Sequence, residues 1–201
     1  MTPTAIEDRI RQLFGTSIEA KIAAADMLPA CMSKATERLV NCLLNDRKVL
    51  VCGHGSSIAN AQHFSSALMN HYEVERPALP TILLNADLTY MNAMMNEGHY
   101  HEIFARQIQS VGQEGDVLLI VTTLGHVDPL LHAVDAANDR GVDIIALTGR
   151  DGGMLASHLG PEDIEIRVPQ ESQARIRECH LFILHTFCEL IDQILFGHMQ
   201  G

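Results

Sequence analysis

A doubly wound α/β fold, with a flavodoxin-like parallel sheet of five strands, is what this 201-residue sequence predicts. Three observations carry the expectation. Asp116-Val117-Leu118-Leu119-Ile120-Val121 is a nearly continuous apolar run, as a strand covered by helices on both faces must be. Short apolar runs alternate with segments whose apolar residues recur at helical spacing. Two strand ends open into hydroxyl-rich turns, Gly53-His54-Gly55-Ser56-Ser57 and Thr122-Thr123-Leu124-Gly125-His126. Ligands in such folds sit there, beyond the carboxyl ends of the strands.

Residues 4–26 place Ile6, Ile10, Leu13, Phe14, Ile18, Ile22 and Ala25 at helical spacing, with Gly15 as the point of interruption. A second helix, from about Leu28 to Asn45, has Met32, Leu39, Val40, Leu43 and Leu44 on its apolar face. This N-terminal pair (1–45) is expected to pack on the sheet or on a neighbouring subunit. A strand at 48–52 precedes a helix whose face carries Ile58, Ala61, Phe64, Ser65 and Leu68. Pro77 and Pro80 flank a strand at Thr81–Leu84. Residues 88–96 read as a Met-rich helix, more often core or interface than a binding surface, and 99–111 as another helix on Ile103, Ile108 and Val111. After the strand at 116–121 come a helix at Asp128–Asp139, a strand at Val142–Leu147 and a turn at 148–153. A short helix near Met154–Leu159, a strand at Asp163–Val168 and a long helix from about Ser172 to Phe196 complete the chain. With no repeat, low-complexity tract or composition break, residues 1–201 read as a single domain.

The formal net charge of −11 argues against direct nucleic-acid binding, which needs a basic surface. It permits a basic protein partner. No apolar run reaches the ~18 residues of a membrane span, and the first fifteen residues lack the apolar core of an export signal. Cys31, Cys42, Cys52, Cys179 and Cys188 form no CxxC pair, and all but Cys31 lie in apolar stretches. Reduced buried thiols and a cytoplasmic location are the expectation.

Strand, glycine–serine turn and helix over Val49–Met69 form a phosphate-binding arrangement. The glycines allow close backbone approach, the helix start favours an anion, and Ser56 and Ser57 offer hydroxyls. The alternative is that these serines only cap the helix. His54 and His126 stand at strand-end turns from which they can meet in one pocket. His99 and His101, two residues apart, do not share a helix face, which speaks against a metal there.

The whole chain resembles SIS-domain proteins, specifically the phosphoheptose isomerase group and its non-catalytic relatives, the DnaA initiator-associating (DiaA) proteins. The motifs are CGHGSSIANAQHF (52–64), ERPALP (75–80), GQEGDVLLI (112–120), ALTGRDGG (146–153), EDIEIRVP (162–169) and ARIRECH (174–180). The ending LIDQILF (190–196) is closer to DiaA. The resemblance implies a zinc site in the isomerases. A histidine and a glutamate one turn later come from the first helix after the sheet begins, and a glutamine and a second histidine from the last. In this chain the histidines match His63 and His185, but the glutamate's place is Ala67 and the glutamine's is Arg177. A methyl and a fixed cation replace two ligands, and no carboxylate base remains at that position. His63 and His185 thus read as relics, and no catalytic residue or cofactor is expected; zinc enters only if the isomerase reading holds. Arg177 reads as an exposed ion pair with Glu178 or another carboxylate, or alternatively as a sugar-phosphate contact in place of zinc.

The serine-rich loop of the isomerases is also altered. Thr122 and Thr123 keep hydroxyls, Leu124 and Val127 replace two serines, His54 replaces an asparagine, and Glu97 stands where the isomerases carry aspartate. Ser56, Ser57, Thr122 and Thr123 are therefore the candidate ligand contacts. Leu195 and Phe196 match a pair implicated in initiator binding in DiaA proteins. The resemblance implies a cytoplasmic homotetrameric adaptor for the replication initiator DnaA. The alternatives are a sedoheptulose 7-phosphate isomerase and a phosphosugar-binding sensor.

Overall fold

The computed structural model describes residues 2–197. Five strands, β1 (Val49–Gly53), β2 (Thr81–Leu83), β3 (Val117–Val121), β4 (Asp143–Gly149) and β5 (Ile164–Val168), form one sheet in the order β2-β1-β3-β4-β5. Every pairing is parallel. This is the flavodoxin-like order, with its reversal of direction between β1 and β3. Gly53 pairs with Val121 at the carboxyl end, so the turns that follow β1 and β3 lie side by side.

Alternation along the strands sorts the core into two layers. Val49, Val51, Val117, Leu119, Ile145 and Leu147 face α2 (Pro29–Leu44), α3 (Ile58–Met69) and α8 (Gln173–Phe196). Leu50, Cys52, Leu118, Ile120, Ile144 and Ala146 face α4 (Leu88–Asn96), α5 (Ala105–Val111), α6 (Asp128–Asp139) and α7 (Gly153–His158). Both faces of β1 and β3 are buried, which is why their sequences show no polar alternation.

Two expectations need correction. Helix α1 (Pro3–Met27) runs through Gly15 without a break; a methyl there would meet nothing within 4 Å, so the glycine marks no contact. Thr2 caps α1, its hydroxyl accepting from the Ala5 amide at 3.3 Å, and Leu28-Pro29 separates it from α2. Of the two packings expected for the N-terminal pair, the apolar stripe of α1 does not take the one on the sheet: Ile6, Ile10, Leu13, Phe14, Ile18 and Ile22 are 41–67% exposed. Residues 99–111 are not one helix but a 3₁₀ turn, Tyr100–Glu102, followed by α5. Buried Ile103 and Phe104 fill the joint, and Gln107 Nε2 donates to the Ile103 and Leu84 carbonyls. Helix α8, at 24 residues, is long and apolar enough by composition to cross a membrane. Ile176, Ile183, Leu184, Phe187, Cys188 and Ile191 bury one side of it, and Arg177, His180 and Asp192 sit along it, so it is a core helix of this fold.

Two buried carboxylates pin the frame. Asp116 is fully buried; it accepts from the Lys48 amide (3.0 Å), Lys48 Nζ (2.7 Å) and the Gln113 amide (2.8 Å), tying the amino ends of β1 and β3. Asp192 on α8 takes Arg76 Nε at 2.6 Å, with both side chains almost wholly buried. Arg76 also donates to the carbonyls of Ala67 (3.0 Å) and Leu68 (2.9 Å), closing the C-terminal turn of α3. Removing one partner of such a pair leaves a buried, uncompensated charge. Arg76→Met is expected to destabilise the protein by about 3–5 kcal/mol, a fall of roughly 6–20 °C in Tm by calorimetry. Arg11→Met, which removes exposed pairs, should shift Tm by less than about 2 °C.

Candidate functional site

The carboxyl end of β1 fixes the site. A side chain on Gly53 would stand 2.7 Å from the Ser57 carbonyl oxygen and 2.8 Å from the Ile58 backbone, so only glycine lets α3 begin so close to the strand. Asn85 holds that glycine from the β2 side: its Oδ1 accepts from the Gly53 amide (2.9 Å) and its Nδ2 donates to the Gly53 carbonyl (3.0 Å). From the β3 side, the His54 amide donates to the Val121 carbonyl. A 3₁₀ turn over Gly55–Ser57 then leads into α3, with amides at its start that have no helical acceptor.

The loop after β3 forms the second wall. Thr122 Oγ1 accepts from the Gly125 amide at 3.3 Å, and Thr123 Oγ1 donates to Gln173 Oε1 on α8 at 3.2 Å. The first turns of α8 form the third, and Asn60 Nδ2 ties them to α3 by donating to the Arg177 carbonyl at 2.9 Å.

Between these walls lies a cavity of about 280 Å³. Ser56, Ser57, Thr122 and Thr123, singled out from the sequence, all line it, and His54 and His126 do meet there. Leu124 and Val127 give it an apolar side. Ser57 is 1% exposed, and its hydroxyl has no hydrogen-bond partner among the described residues, so it stands ready for a ligand rather than capping α3. Burial lowers the His54 pKa below the usual histidine range. Glu97 caps the end of α4 and does not reach the cavity. A larger cleft of about 970 Å³ lies near the amino ends of the strands, between α2 and β5, but its walls mix carboxylates with Lys34, Arg38 and Arg47. It lacks the helix starts and strand-end turns that favour an anion.

Arg177 also lines the cavity. The expected ion pair with Glu178 does not form: Glu178 takes Arg175 Nη2 at 2.7 Å and the Ser17 hydroxyl at 2.7 Å. Residues 175 and 178 share a face one turn apart, whereas 177 and 178 point apart around the helix. Among the described residues no carboxylate lies within ion-pair distance of Arg177. Among the described residues its guanidinium makes one hydrogen bond, a long one of 3.5 Å to Gln173 Oε1.

His63 and His185 meet, but outside the cavity lining. Their Nε2 atoms are 2.9 Å apart and their rings 4.9 Å apart, with Tyr72 stacked 5.5 Å from His185. Burial, and then the neighbouring His63 ring, lower the His185 pKa. One turn beyond His63, Ala67 turns its methyl into the core and offers no donor. The donor set does not fit a structural or catalytic zinc ion, which takes at least three protein ligands. Among the described residues no other histidine, cysteine or carboxylate joins this pair to make a third. Leu195 packs against the core, and Phe196, 40% exposed, lies under the Arg76 guanidinium at 5.9 Å. Both stand at the far end of α8 from Arg177, roughly 28 Å away by helical rise.

Sequence reading missed three groups that shape the site: Asn85, Gln173 and His180. His180 is fully buried; its Nε2 bonds the Thr148 carbonyl at the end of β4 at 2.9 Å, and its Nδ1 has no partner. Burial, against the partial relief of the Thr148 bond, lowers its pKa to about 4. The motif ARIRECH contains it, but nothing in the motif distinguishes a buried histidine from a surface one.

Comparison with known proteins places this geometry. Residues 14–149 match the SIS domain family. The chain is 47% identical over 194 residues to a phosphoheptose isomerase of Chromohalobacter salexigens, covering 96% of this chain and 98% of that protein. It is 48% identical over 193 residues to the DnaA initiator-associating protein DiaA of Citrobacter koseri, with the same coverage. Among solved structures, a phosphoheptose isomerase from Francisella tularensis superposes with a TM-score of 0.90 at 45% identity, over 96% of this chain and all of that one. Phosphoheptose isomerase GmhA from Neisseria gonorrhoeae gives 0.88 at 36% identity, over 94% and 99%.

The His180 geometry has a pH consequence. Its folded pKa of about 4 lies below the unfolded value of 6.5, so between these values the unfolded chain binds a proton that the folded chain does not. Stability is therefore expected to fall as pH drops from 6.5 to 4, by about 3 kcal/mol from this group. Urea unfolding at several pH values should show a steeper acid loss for the wild type than for His180→Gln.

Proposed function

The chain belongs to the SIS-domain family, and from that premise we propose that it is a non-catalytic adaptor of the DiaA kind. It binds the initiator DnaA and promotes its assembly at the chromosomal origin. The observation that carries the reading is Ala67 one turn after His63, and Arg177 on α8, with His63 and His185 touching and no third donor joining them among the described residues. Isomerising a ketose phosphate moves a proton between adjacent carbons, which requires a base held at those carbons. A buried methyl stands where the related isomerases place the glutamate, and a cation stands where they place a neutral zinc ligand. No resident cofactor is assigned, and the family's sugar-phosphate site persists in altered form at the cavity of His54, Ser57 and Thr122.

A homotetramer fits this role, because several copies of one binding surface raise the local concentration of a partner without chemistry. The bare stripe of α1 supports self-association, as does an apolar groove of about 480 Å³ along α1, α2 and α8 that includes Leu28, Met32, Phe182 and Ile194. Phe196 is the proposed initiator contact, its exposed ring presented by Arg76. The absence of any CxxC pair and the reduced thiols of all five cysteines suit the cytoplasm. The net charge of −11 suits a basic protein surface rather than nucleic acid.

A second reading, sedoheptulose 7-phosphate isomerase, is favoured by the retained His63–His185 contact and by the isomerases among the similar proteins. A product assay with sedoheptulose 7-phosphate and added zinc separates the two. The adaptor reading expects no turnover above background; turnover would overturn it. Immobilised protein is expected to retain DnaA, and Phe196→Ala to lose at least about tenfold of that retention, the scale of one aromatic contact at an interface. Sedimentation should give a tetramer for the wild type and smaller species for the double variant Phe14→Glu, Ile18→Glu.

A further inference from the structure

We propose that the cavity binds its ligand without metal, through an acidic group of the ligand held by Arg177. The ligand class is a sugar-sized polyol that carries a phosphate or a carboxylate. The inference rests on the reading of the cavity as a sugar-phosphate site and adds where the charge is recognised.

Four observations converge. Arg177 is half-buried, lines the cavity, and has no carboxylate partner among the described residues, although the chain carries eleven more acidic than basic side chains. The neighbouring guanidiniums have partners: Arg175 on α8 takes Glu178 at 2.7 Å, and Arg150, in the turn after β4, donates to the Glu171 carbonyl at 2.9 Å. No aspartate or glutamate lines the cavity. Ser57, almost wholly buried with an unpartnered hydroxyl, faces the same space. An acidic protein that keeps carboxylates out of one cavity, and leaves an unneutralised arginine in it, has built an anion site.

The recognition has moved within the site. Leu124 and Val127 withdraw two hydroxyls from the loop after β3, which weakens that wall as an oxyanion cradle. Arg177 adds planar, charge-assisted donors on the α8 wall, matched to carboxylate or phosphate oxygens. Gln173 and Thr123, bonded to each other at 3.2 Å beside it, and the imidazoles of His54 and His126 supply donors and acceptors for hydroxyls. Asn60 fixes the Arg177 backbone from α3 at 2.9 Å, so the guanidinium is presented from a held position. The charge lies on the protein itself, and zinc is not needed to attract the ligand.

The test is calorimetric titration of EDTA-treated protein with sedoheptulose 7-phosphate, with gluconate and with neutral sedoheptulose. The expected result is binding of at least one of the two acids and none of the neutral sugar. Phosphate as the recognised group gives heat with sedoheptulose 7-phosphate, carboxylate gives heat with gluconate, and either supports the proposal. Arg177→Met should weaken the acid about 10–100-fold, the scale of a charge-assisted bond, and Arg177→Lys should recover part of it. Unchanged melting of both variants would establish that they fold. No heat from either acid, equal affinity in Arg177→Met, or binding that appears only after zinc is added would overturn the proposal. Product in the calorimeter cell would overturn the non-catalytic reading and leave the Arg177 comparison standing on its own.

Discussion

The closeness with which two helices start on the sheet governs the rest of this structure. Gly53 at the end of β1 has no space for a side chain against Ser57 and Ile58, and Gly149 at the end of β4 has none against Ile176, whose side-chain carbons lie 2.5–2.8 Å from any added methyl. A methyl at either position would push a helix off its strand. With both seated, α3 and α8 converge over the carboxyl edge, Asn60 reaches the Arg177 carbonyl, and His180 reaches the carbonyl of Thr148. The cavity is the gap that remains between the two helix starts and the β3 loop, so its shape is inherited from backbone contacts rather than from the side chains that line it.

Charge is distributed to match. Most of the excess carboxylates lie on the outside, and the two that are deeply buried, Asp116 and Asp192, each hold a cation and close a frame contact. The cavity has none. In a field that is negative overall, local donors decide anion binding: unpaired helix amides, a buried hydroxyl and a guanidinium within a partly desolvated space. The same economy explains the bare stripe of α1. Its residues repeat every three or four positions as a core helix's would, yet α8 and α2 cover only the Ala20 side, so the pattern encodes a surface that a single chain does not fill.

Much of this was readable in the sequence, and the failures have physical causes. The β3 run and the strand–turn–helix at 49–69 identified a parallel sheet and its ligand edge because burial on both faces and close backbone approach leave strong local signatures. The break within 99–111 was not readable: Ile103, Phe104 and Ile108 are apolar in either a helix or a turn-plus-helix, and only the burial of Phe104 in the core and the Gln107 bridge to the Leu84 carbonyl decide. The periodicity of α1 gave its face and left open what covers it, since period reports which residues share a side and not what they pack against. An ion pair of Arg177 with Glu178 or another carboxylate is the simple expectation from the sequence, yet adjacent residues on a helix diverge, and the partner of Glu178 is Arg175, three residues back. Asn85 and His180 were invisible because a polar residue bonding a strand-end carbonyl or glycine has no sequence pattern of its own.

In this chain the α3–α8 contact does not depend on an ion. Phe64 and Phe187 meet edge to face at 6.5 Å in the core, Ala67 closes the packing beside them, and Arg76 clamps the end of α3 to Asp192. His63 and His185 sit on the exposed rim of that contact and satisfy each other directly. Ala67 leaves no buried charge there that would need a counter-ion, and Arg177, with its stem along α8, keeps its charge at the cavity wall. On the reading proposed above, the two helices are held by packing and by the Arg76–Asp192 pair, and the charge at the cavity is one that the protein itself presents.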